Sequence, residues 1–212
     1  TKINDQEKAE YEYNSKGYLS EITTNGTTYT FTYDYFGNSD TIKVGNRTLS
    51  SYTYNANNGK LNTQTYGNGV QVKYVYDSLD RVKEICYTES GGTEQTLYEY
   101  FYTNEGYLKR FDNNVENTSI IYSYDGLGKL VSTIECSQND SDSYYSLEYT
   151  YDDFDRLYTT YSKISYNSSN EVKDFTNQTT HLYDDEGTIK GVEIKTPAVF
   201  AQSSFVKDIY NR

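Results

Sequence analysis

The sequence predicts an all-β fold built from tandem antiparallel β-hairpins. Two observations carry this prediction: a pair of aromatic-type residues spaced i, i+2 recurs eight times, and a turn of nearly constant chemistry follows each pair. No window keeps the 3.6-residue periodicity of a helix for more than a few residues. The second tyrosines of consecutive pairs lie 20, 21, 22, 26, 22, 27 and 32 residues apart. A recurrence of this length indicates that each unit is one supersecondary element of a repeat architecture.

Each pair predicts one strand. Side chains alternate between the two faces of a strand, so residues at i and i+2 lie on the same face. The pairs are Tyr11 and Tyr13, Phe31 and Tyr33, Tyr52 and Tyr54, Tyr74 and Tyr76, Tyr100 and Tyr102, Tyr122 and Tyr124, Tyr149 and Tyr151, and His181 and Tyr183.

The residue after each second tyrosine is predicted to open a turn, because its short polar side chain can bond the backbone two residues on. These residues are Asn14, Asp34, Asn55, Asp77, Thr103, Asp125, Asp152 and Asp184. Three residues later only Gly, Asn or Asp occurs, the residues that best tolerate a positive φ. They are Gly17, Gly37, Asn58, Asp80, Gly106, Gly128, Asp155 and Gly187. This pattern predicts a type I turn followed by a G1 bulge.

An aliphatic residue two positions further on predicts the start of the returning strand. These residues are Leu19, Val82, Leu108, Leu130, Leu157 and Ile189, with Leu61 in the longer third repeat and Ser39 as the exception in the second. A second set of turns is predicted at Asn25-Gly26, Gly45-Asn46, Gly67-Asn68-Gly69, Gly91-Gly92 and Asn113-Asn114. The polar segments 137–143 and 167–171 are interpreted as longer connections that widen the spacing of the last two repeats.

The whole chain, residues 1–212, is predicted to be a single array with about eight hairpin repeats between residues 11 and 192. Residues 1–10 have no repeat partner. Residues 193–212, with Pro197 and the segment from Phe200 to Phe205, resemble a final strand or the start of another unit. Because the sequence has no initiator methionine and no signal peptide, we expect a fragment of a larger protein.

Composition limits the classes of function. A mean hydropathy of −0.87 with a net charge of −12 would ordinarily indicate disorder, but 27 Tyr and 8 Phe in a periodic pattern predict a folded chain. Nucleic acid is not expected as a partner, because phosphate binding needs clusters of Lys and Arg. Membrane insertion is not expected either, since no apolar run of 18 residues occurs.

No catalytic, cofactor-binding or metal site is predicted. His181 is the only histidine and is interpreted as a structural ring in the first aromatic slot of its repeat. Acidic clusters such as Asp152-Asp153 and Asp184-Asp185 coincide with turns that already require Asp, and none matches an EF-hand loop. Cys86 and Cys136 lie about four strands apart in a continuous ribbon, so two free thiols are expected.

The repeat resembles the YD repeat of Rhs-type proteins. The resemblance is carried by Tyr74-Val75-Tyr76-Asp77-Ser78-Leu79-Asp80-Arg81-Val82 after the lead-in Gly67-Asn68-Gly69-Val70, and it extends from about residue 11 to residue 192. Arg at the turn exit is kept only as Arg81 and Arg156, and Asp is replaced in three repeats. The resemblance implies a continuous coiled β-ribbon, here an open or partial shell, as in bacterial polymorphic toxins, insecticidal toxin complexes and animal teneurins.

The resemblance also implies a function. We expect a non-enzymatic segment of a large secreted or cell-surface bacterial protein, forming part of a shell or stalk that encloses or presents a toxin or adhesion domain. The family's self-cleaving signature has Asp before Pro, whereas Pro197 has no such Asp. Other segments of the parent protein are the expected partners, and open sheet edges could also pair with another chain. The alternative is a carbohydrate-binding adhesion module that uses exposed tyrosines.

Overall fold

The computed structural model describes residues 2–3, 6–7, 9–168 and 171–196, and all regular elements among them are β-strands. The predicted all-β class is therefore confirmed. The strands are β1 (Lys2–Ile3), β2 (Gln6–Glu7), β3 (Glu10–Tyr13), β4 (Leu19–Thr24), β5 (Thr27–Tyr33), β6 (Ser39–Val44), β7 (Arg47–Tyr54), β8 (Leu61–Tyr66), β9 (Gln71–Tyr76), β10 (Val82–Thr88), β11 (Gln95–Tyr102), β12 (Leu108–Asn113), β13 (Thr118–Tyr124), β14 (Leu130–Ser137), β15 (Asp140–Tyr151), β16 (Leu157–Ser168), β17 (Glu171–Tyr183) and β18 (Ile189–Lys195). Pro197 and the segment from Phe200 to Phe205 lie outside the described residues.

The strands follow one another without crossover. β1 pairs with β2, and β3 to β18 form an antiparallel sheet of 16 strands in chain order whose first and last strands do not pair with each other. Each odd-numbered strand from β3 to β17 ends on an aromatic-type pair, and the next strand begins on the predicted return residue. By its contacts the chain divides into two compact units, Thr1–Glu99 and Tyr100–Arg212.

The motif turns have the predicted geometry in seven repeats. In the second repeat the Gly37 N–H donates to the Asp34 carbonyl at 3.2 Å, and the Asp34 N–H donates to the Asn38 carbonyl at 2.9 Å. The fourth turn residue has a positive φ: Gly17 81°, Gly37 92°, Asp80 61°, Gly106 99°, Gly128 82°, Asp155 64° and Gly187 86°. A type I turn with a left-handed fourth residue is therefore confirmed at these positions.

The third repeat differs, and the expectation of a left-handed Asn58 is wrong. The positive φ, 69°, lies at Gly59, whose N–H donates to the Asn55 carbonyl at 2.8 Å. The extra residue lengthens the loop, so the left-handed position moves one residue on. Asn58 instead accepts the Lys60 N–H with its side-chain oxygen at 3.1 Å.

The first turn residue makes more bonds than the sequence suggested. The Asp77 carboxylate accepts the N–H of Leu79 at 2.9 Å, as predicted, and also the N–H of Arg81 at 3.0 Å. The backbone bonds from Arg81 and Lys129 hold the pKa of Asp77 and Asp125 below the ordinary value of 3.8. One side chain thus fixes both the opening and the closing of the turn.

Seven of the returning strands carry a β-bulge near their start. Tyr124 pairs with Leu130 while Ser123 pairs with Ser132, so Val131 is the additional residue. The same shift occurs where Tyr151 pairs with Leu157. A bulge bends its strand and increases the local twist. It therefore sets the direction in which each hairpin leaves its turn.

The second set of turns lies where the Gly and Asn clusters predicted it. Asn25 and Gly26 both have positive φ, 49° and 75°, as a type I′ hairpin turn requires. The prediction of longer polar connections is wrong, however, because Ser137 pairs with Asp140 and Ser168 pairs with Glu171 as parts of strands. β15, β16 and β17 have 12, 12 and 13 residues, so longer strands widen the last repeats. The alternating Ser, Thr and Tyr side chains suit a strand, despite their polarity.

The described part of the chain has almost no apolar core. Cys86, exposed by 1%, is the only buried hydrophobic residue there, and the other buried residues are polar: Ser50, Asp112, Ser119, Ser146, Ser165 and Thr180. Asp112 is satisfied by the Ser119 hydroxyl at 2.7 Å and by Arg110 at 3.0 Å. Most tyrosines of the pairs are only half-buried. Stability therefore has to come from contacts between neighbouring strands and turns.

We predict that Asp152→Ala lowers the midpoint of thermal unfolding clearly more than Asp153→Ala. The Asp152 carboxylate accepts the N–H groups of Phe154 and Arg156, each at 2.9 Å, and the Arg156 Nε–H at 2.7 Å. Asp153 is exposed and supplies a matched loss of charge. Circular dichroism during heating measures both variants, and equal midpoints would contradict the role given to the turn carboxylate.

Acid should weaken the fold through the same carboxylates. Because the folded-state pKa of Asp125 is depressed, its stabilisation is complete above pH 3.8 and is lost as the pH falls through the lower folded value. Asn14 and Asn55 show that an uncharged amide makes the same turn bond at 2.9 Å. Asp125→Asn should therefore reduce the acid dependence of stability, measured as the unfolding midpoint between pH 7 and pH 2. An unchanged acid dependence would refute this.

Candidate functional site

In six repeats the second tyrosine of the motif joins its repeat to the preceding one. Its hydroxyl donates a hydrogen bond to the carbonyl of the first residue of the preceding returning strand. These bonds are Tyr33 to Leu19 at 2.8 Å, Tyr54 to Ser39 at 2.8 Å, Tyr76 to Leu61 at 2.8 Å, Tyr124 to Leu108 at 2.9 Å, Tyr151 to Leu130 at 2.7 Å and Tyr183 to Leu157 at 2.7 Å. The motif tyrosines are therefore connectors between hairpins.

The sequence contains a signal for this role. The second aromatic position is Tyr in all eight repeats, whereas the first also holds Phe31 and His181. A phenylalanine can fill the space of a ring, but only tyrosine supplies the hydroxyl donor. The distinction between the two positions therefore separates packing from hydrogen bonding.

Burial acts on two of these hydroxyls. Removal from water raises the pKa of Tyr76 and Tyr124 above the ordinary value of 10.0. Since a phenol is already protonated at neutral pH, the raised pKa keeps these two donors protonated further into the alkaline range. Tyr13, in the first repeat, is different: it is 64% exposed, and its hydroxyl has no hydrogen-bond partner among the described residues.

In five repeats the residue that leaves the turn, here named the exit residue, covers the next motif tyrosine. Tyr18 lies 5.0 Å from the ring of Tyr33, and Tyr107 stacks on Tyr124 at 4.9 Å. Cationic exit residues occupy the same place, with distances from the charged group to the ring centre of 5.3 Å for Lys60 and Tyr76, 5.2 Å for Lys129 and Tyr151, and 4.2 Å for Arg156 and Tyr183. The sequence identified Arg156 as a motif remnant but gave no reason for Tyr or Lys there.

The first aromatic position has a packing role. Tyr100 contacts Phe111 at 5.2 Å between ring centres, and His181 is half-buried in β17 opposite Val192. Among the described residues no group of three His, Cys, Asp or Glu is arranged to hold a metal ion. This arrangement can connect one hairpin to the next.

The tips of several motif turns expose apolar side chains that the sequence reasoning missed. Phe36 is 81% exposed, Leu127 80% and Phe154 79%, each at the third position of its turn. Phe36 lies beside a groove that is also lined by Tyr52 and Asn57. These exposed side chains lie at turn tips, next to connector tyrosines such as Tyr54 and Tyr124.

The cysteines are both free thiols, buried at Cys86 and half-buried at Cys136, as expected. The part of the chain that the structure describes has no helix long and apolar enough to cross a membrane.

No protein-family model matches the sequence. The chain is 34% identical to teneurin-1 of Gallus gallus over 119 residues, which are 53% of this chain and 4% of that protein. It is 29% identical to teneurin-3 of Danio rerio over 184 residues, 83% of this chain and 6% of that protein. The chain thus spans only a small part of the length of these relatives.

The comparison with solved structures gives low-scoring matches. A Tc holotoxin pore from Photorhabdus luminescens aligns with 90% of this chain and 15% of its own, at 12% identity and a TM-score of 0.45. A TcdB2-TccC3 crystal structure aligns over the same shares at 13% identity and a TM-score of 0.45.

The chain's own repeats and its sequence relatives agree with each other. Eight copies of the motif form consecutive hairpins of one antiparallel ribbon, and the sequence matches lie in teneurins. The chain is therefore similar to proteins with YD/Rhs repeats.

Proposed function

We propose that this chain is a non-enzymatic structural segment of a large secreted or cell-surface YD/Rhs-repeat protein. It would form part of a β-shell or stalk that encloses or presents another domain, such as a toxin or adhesion domain. The observation that carries this proposal is the series of hydroxyl-to-carbonyl bonds from Tyr33 to Tyr183, which uses the motif residues to connect hairpins. Residues committed to connecting hairpins are typical of a scaffold.

The partners that fit are other segments of the parent protein. The sheet has two edge strands, β3 and β18, and edge strands present unpaired backbone groups that accept a further strand. Ile189 begins β18 as Leu157 begins β16, so its carbonyl is placed to receive the hydroxyl of a further motif tyrosine. Self-association through these edges is a second use of the same geometry. Bacterial origin stays a prediction, because the sequence relatives are animal teneurins.

The full-length gene product tests the proposal. A domain enclosed by the array should resist a protease added to the native protein, whereas Tyr124→Ala, which removes a connector, should expose it. Unchanged cleavage in the variant, or catalytic turnover by the array that one Asp or Glu substitution abolishes, would overturn the proposal.

A glycan-binding adhesion module is the second candidate, and the exposed ring of Phe36 beside Tyr52, Asn55 and Asn57 favours it. Aromatic rings stack on sugar faces, and amides bind hydroxyls. Reproducible binding on a glycan array that is lost in Phe36→Ser and kept in Leu79→Ser would favour this candidate. Leu79 is the matched control, because it is an exposed side chain at the same turn position without a ring.

The connector role predicts the effect of removing one hydroxyl. Tyr151→Phe should destabilise the chain by about 1 kcal/mol, because the Leu130 carbonyl loses its donor while the ring is kept. Tyr13→Phe is the control, since its hydroxyl has no partner among the described residues, and it should change little. Denaturant unfolding measures both free energies, and equal values for the two variants would count against the connector role.

A further inference from the structure

The exit residue reaches beyond the next motif tyrosine to the left-handed residue of the next turn. Where the exit residue is Tyr, that position is Gly and has no room for a side chain. A Cβ added to Gly37 would lie 2.5 Å from the Tyr18 hydroxyl oxygen, and one added to Gly128 would lie closer still to that of Tyr107. The phenol of the preceding repeat occupies the space of the missing side chain.

Where the exit residue is Lys, the next left-handed residue is Asp. The Lys129 ammonium forms an ion pair with the Asp155 carboxylate. In the other case the Lys60 ammonium donates to the Asp80 carbonyl, and the Asn58 side-chain N–H donates to the Asp80 carboxylate at 2.6 Å. The slender Lys side chain leaves room for the Cβ of the next left-handed residue, and the Lys ammonium is stabilised by an oxygen acceptor there.

Two further junctions fit the same logic. Arg156 is followed by Gly187, where an added Cβ would lie 3.3 Å from the guanidinium, so a bulky exit residue again meets Gly. Asn38 is short and bonds back to Asp34 in its own turn at 3.0 Å. Opposite it, Gly59 would have nothing within 4 Å of an added Cβ. A short exit residue therefore does not restrict the residue type at the left-handed position of the next turn.

We propose that the exit residue of one repeat and the left-handed residue of the next form a matched pair that specifies which hairpins can be neighbours. A Tyr exit residue accepts only Gly, an Arg exit residue favours Gly, and a Lys exit residue selects Asp. This inference rests on the proposed structural function and adds the rule by which the array orders its own repeats.

The rule disfavours wrong neighbours between hairpins of similar sequence. If the hairpin whose turn exits at Tyr107 met the turn of the seventh repeat, the Tyr107 phenol would collide with Asp155. If the hairpin whose turn exits at Lys129 instead met a turn with Gly at the left-handed position, such as that of Gly187, the Lys129 ammonium would lose its carboxylate partner. Specificity then comes from a steric clash in one case and an unpaired charge in the other, both of which act against the wrong partner.

A double-mutant cycle on Tyr107 and Gly128 tests the pair. Gly128→Asp should lower the thermal midpoint strongly, because the new side chain enters the space of the Tyr107 phenol. Tyr107→Lys alone should lower it moderately through loss of the stacked ring. The double variant reproduces the pair of Lys129 and Asp155. Its thermal midpoint should therefore fall by much less than the sum of the decreases in the two single variants.

Strain from the positive φ needs its own control. Gly17→Asp places the same residue at nearly the same φ, since φ is 81° at Gly17 and 82° at Gly128. At Gly17, however, an added Cβ would meet nothing within 4 Å. Its loss should be small and unaffected by Tyr107→Lys. If Gly128→Asp cost no more than Gly17→Asp, or if Tyr107→Lys failed to rescue it, the pairing rule would be wrong.

The reciprocal cycle keeps the test decisive if Gly128→Asp does not fold. Lys129→Tyr should destabilise the chain and Asp155→Gly should restore it, because the pair then copies Tyr107 and Gly128. Additive losses in this cycle would overturn the rule while leaving a folded β-ribbon, and so the proposed function, intact. A chain without a β-type circular dichroism spectrum would instead refute the structural function.

Discussion

A hydrogen bond from a tyrosine hydroxyl to a carbonyl of the preceding repeat is the interaction on which the rest of this array depends. The sheet exposes both faces and, among the described residues, buries one apolar side chain, Cys86. A single hairpin of this kind is marginal in water, since it has no hydrophobic layer to pack against. The hydroxyl bond, with the exit residue lying on the ring, gives each hairpin a defined attachment to the previous one. The motif residues therefore connect neighbouring hairpins.

The turn supplies the backbone geometry that this connection between hairpins needs. A carboxylate such as Asp77 accepts backbone N–H groups on both sides of the turn, and the left-handed residue that follows reverses the chain within four residues. The bulge after the turn then sets the course of the returning strand, whose first carbonyl meets the tyrosine of the following repeat. Each part of the motif thus acts on a different bond of the same junction. A scaffold can be extended by repeating such a junction, which agrees with a role in enclosing or presenting another domain.

The sequence predicted the hairpins well because their signals are local. Aromatic residues at i, i+2, an Asx side chain and a residue that tolerates positive φ act within about ten residues of one another. The failures were local too: one extra residue moved the left-handed position from Asn58 to Gly59, and the polar segments around Ser137 and Ser168 pair as strands. Polarity suggested loops there, but a sheet that is open to water on both faces accepts Ser, Thr and Asn in its strands.

By itself the sequence determined the number of hairpins, the positions of their turns and the residues that form them, because these follow from backbone preferences and bonds between near neighbours. The tertiary structure alone decided what the tyrosines do. The joined residues are 14 apart for Tyr33 and Leu19 but 26 apart for Tyr183 and Leu157, because strand lengths differ. No fixed spacing therefore connects a hydroxyl to its carbonyl, or Lys129 to Asp155. Those partners become visible only when the registers and bulges of the intervening strands are known.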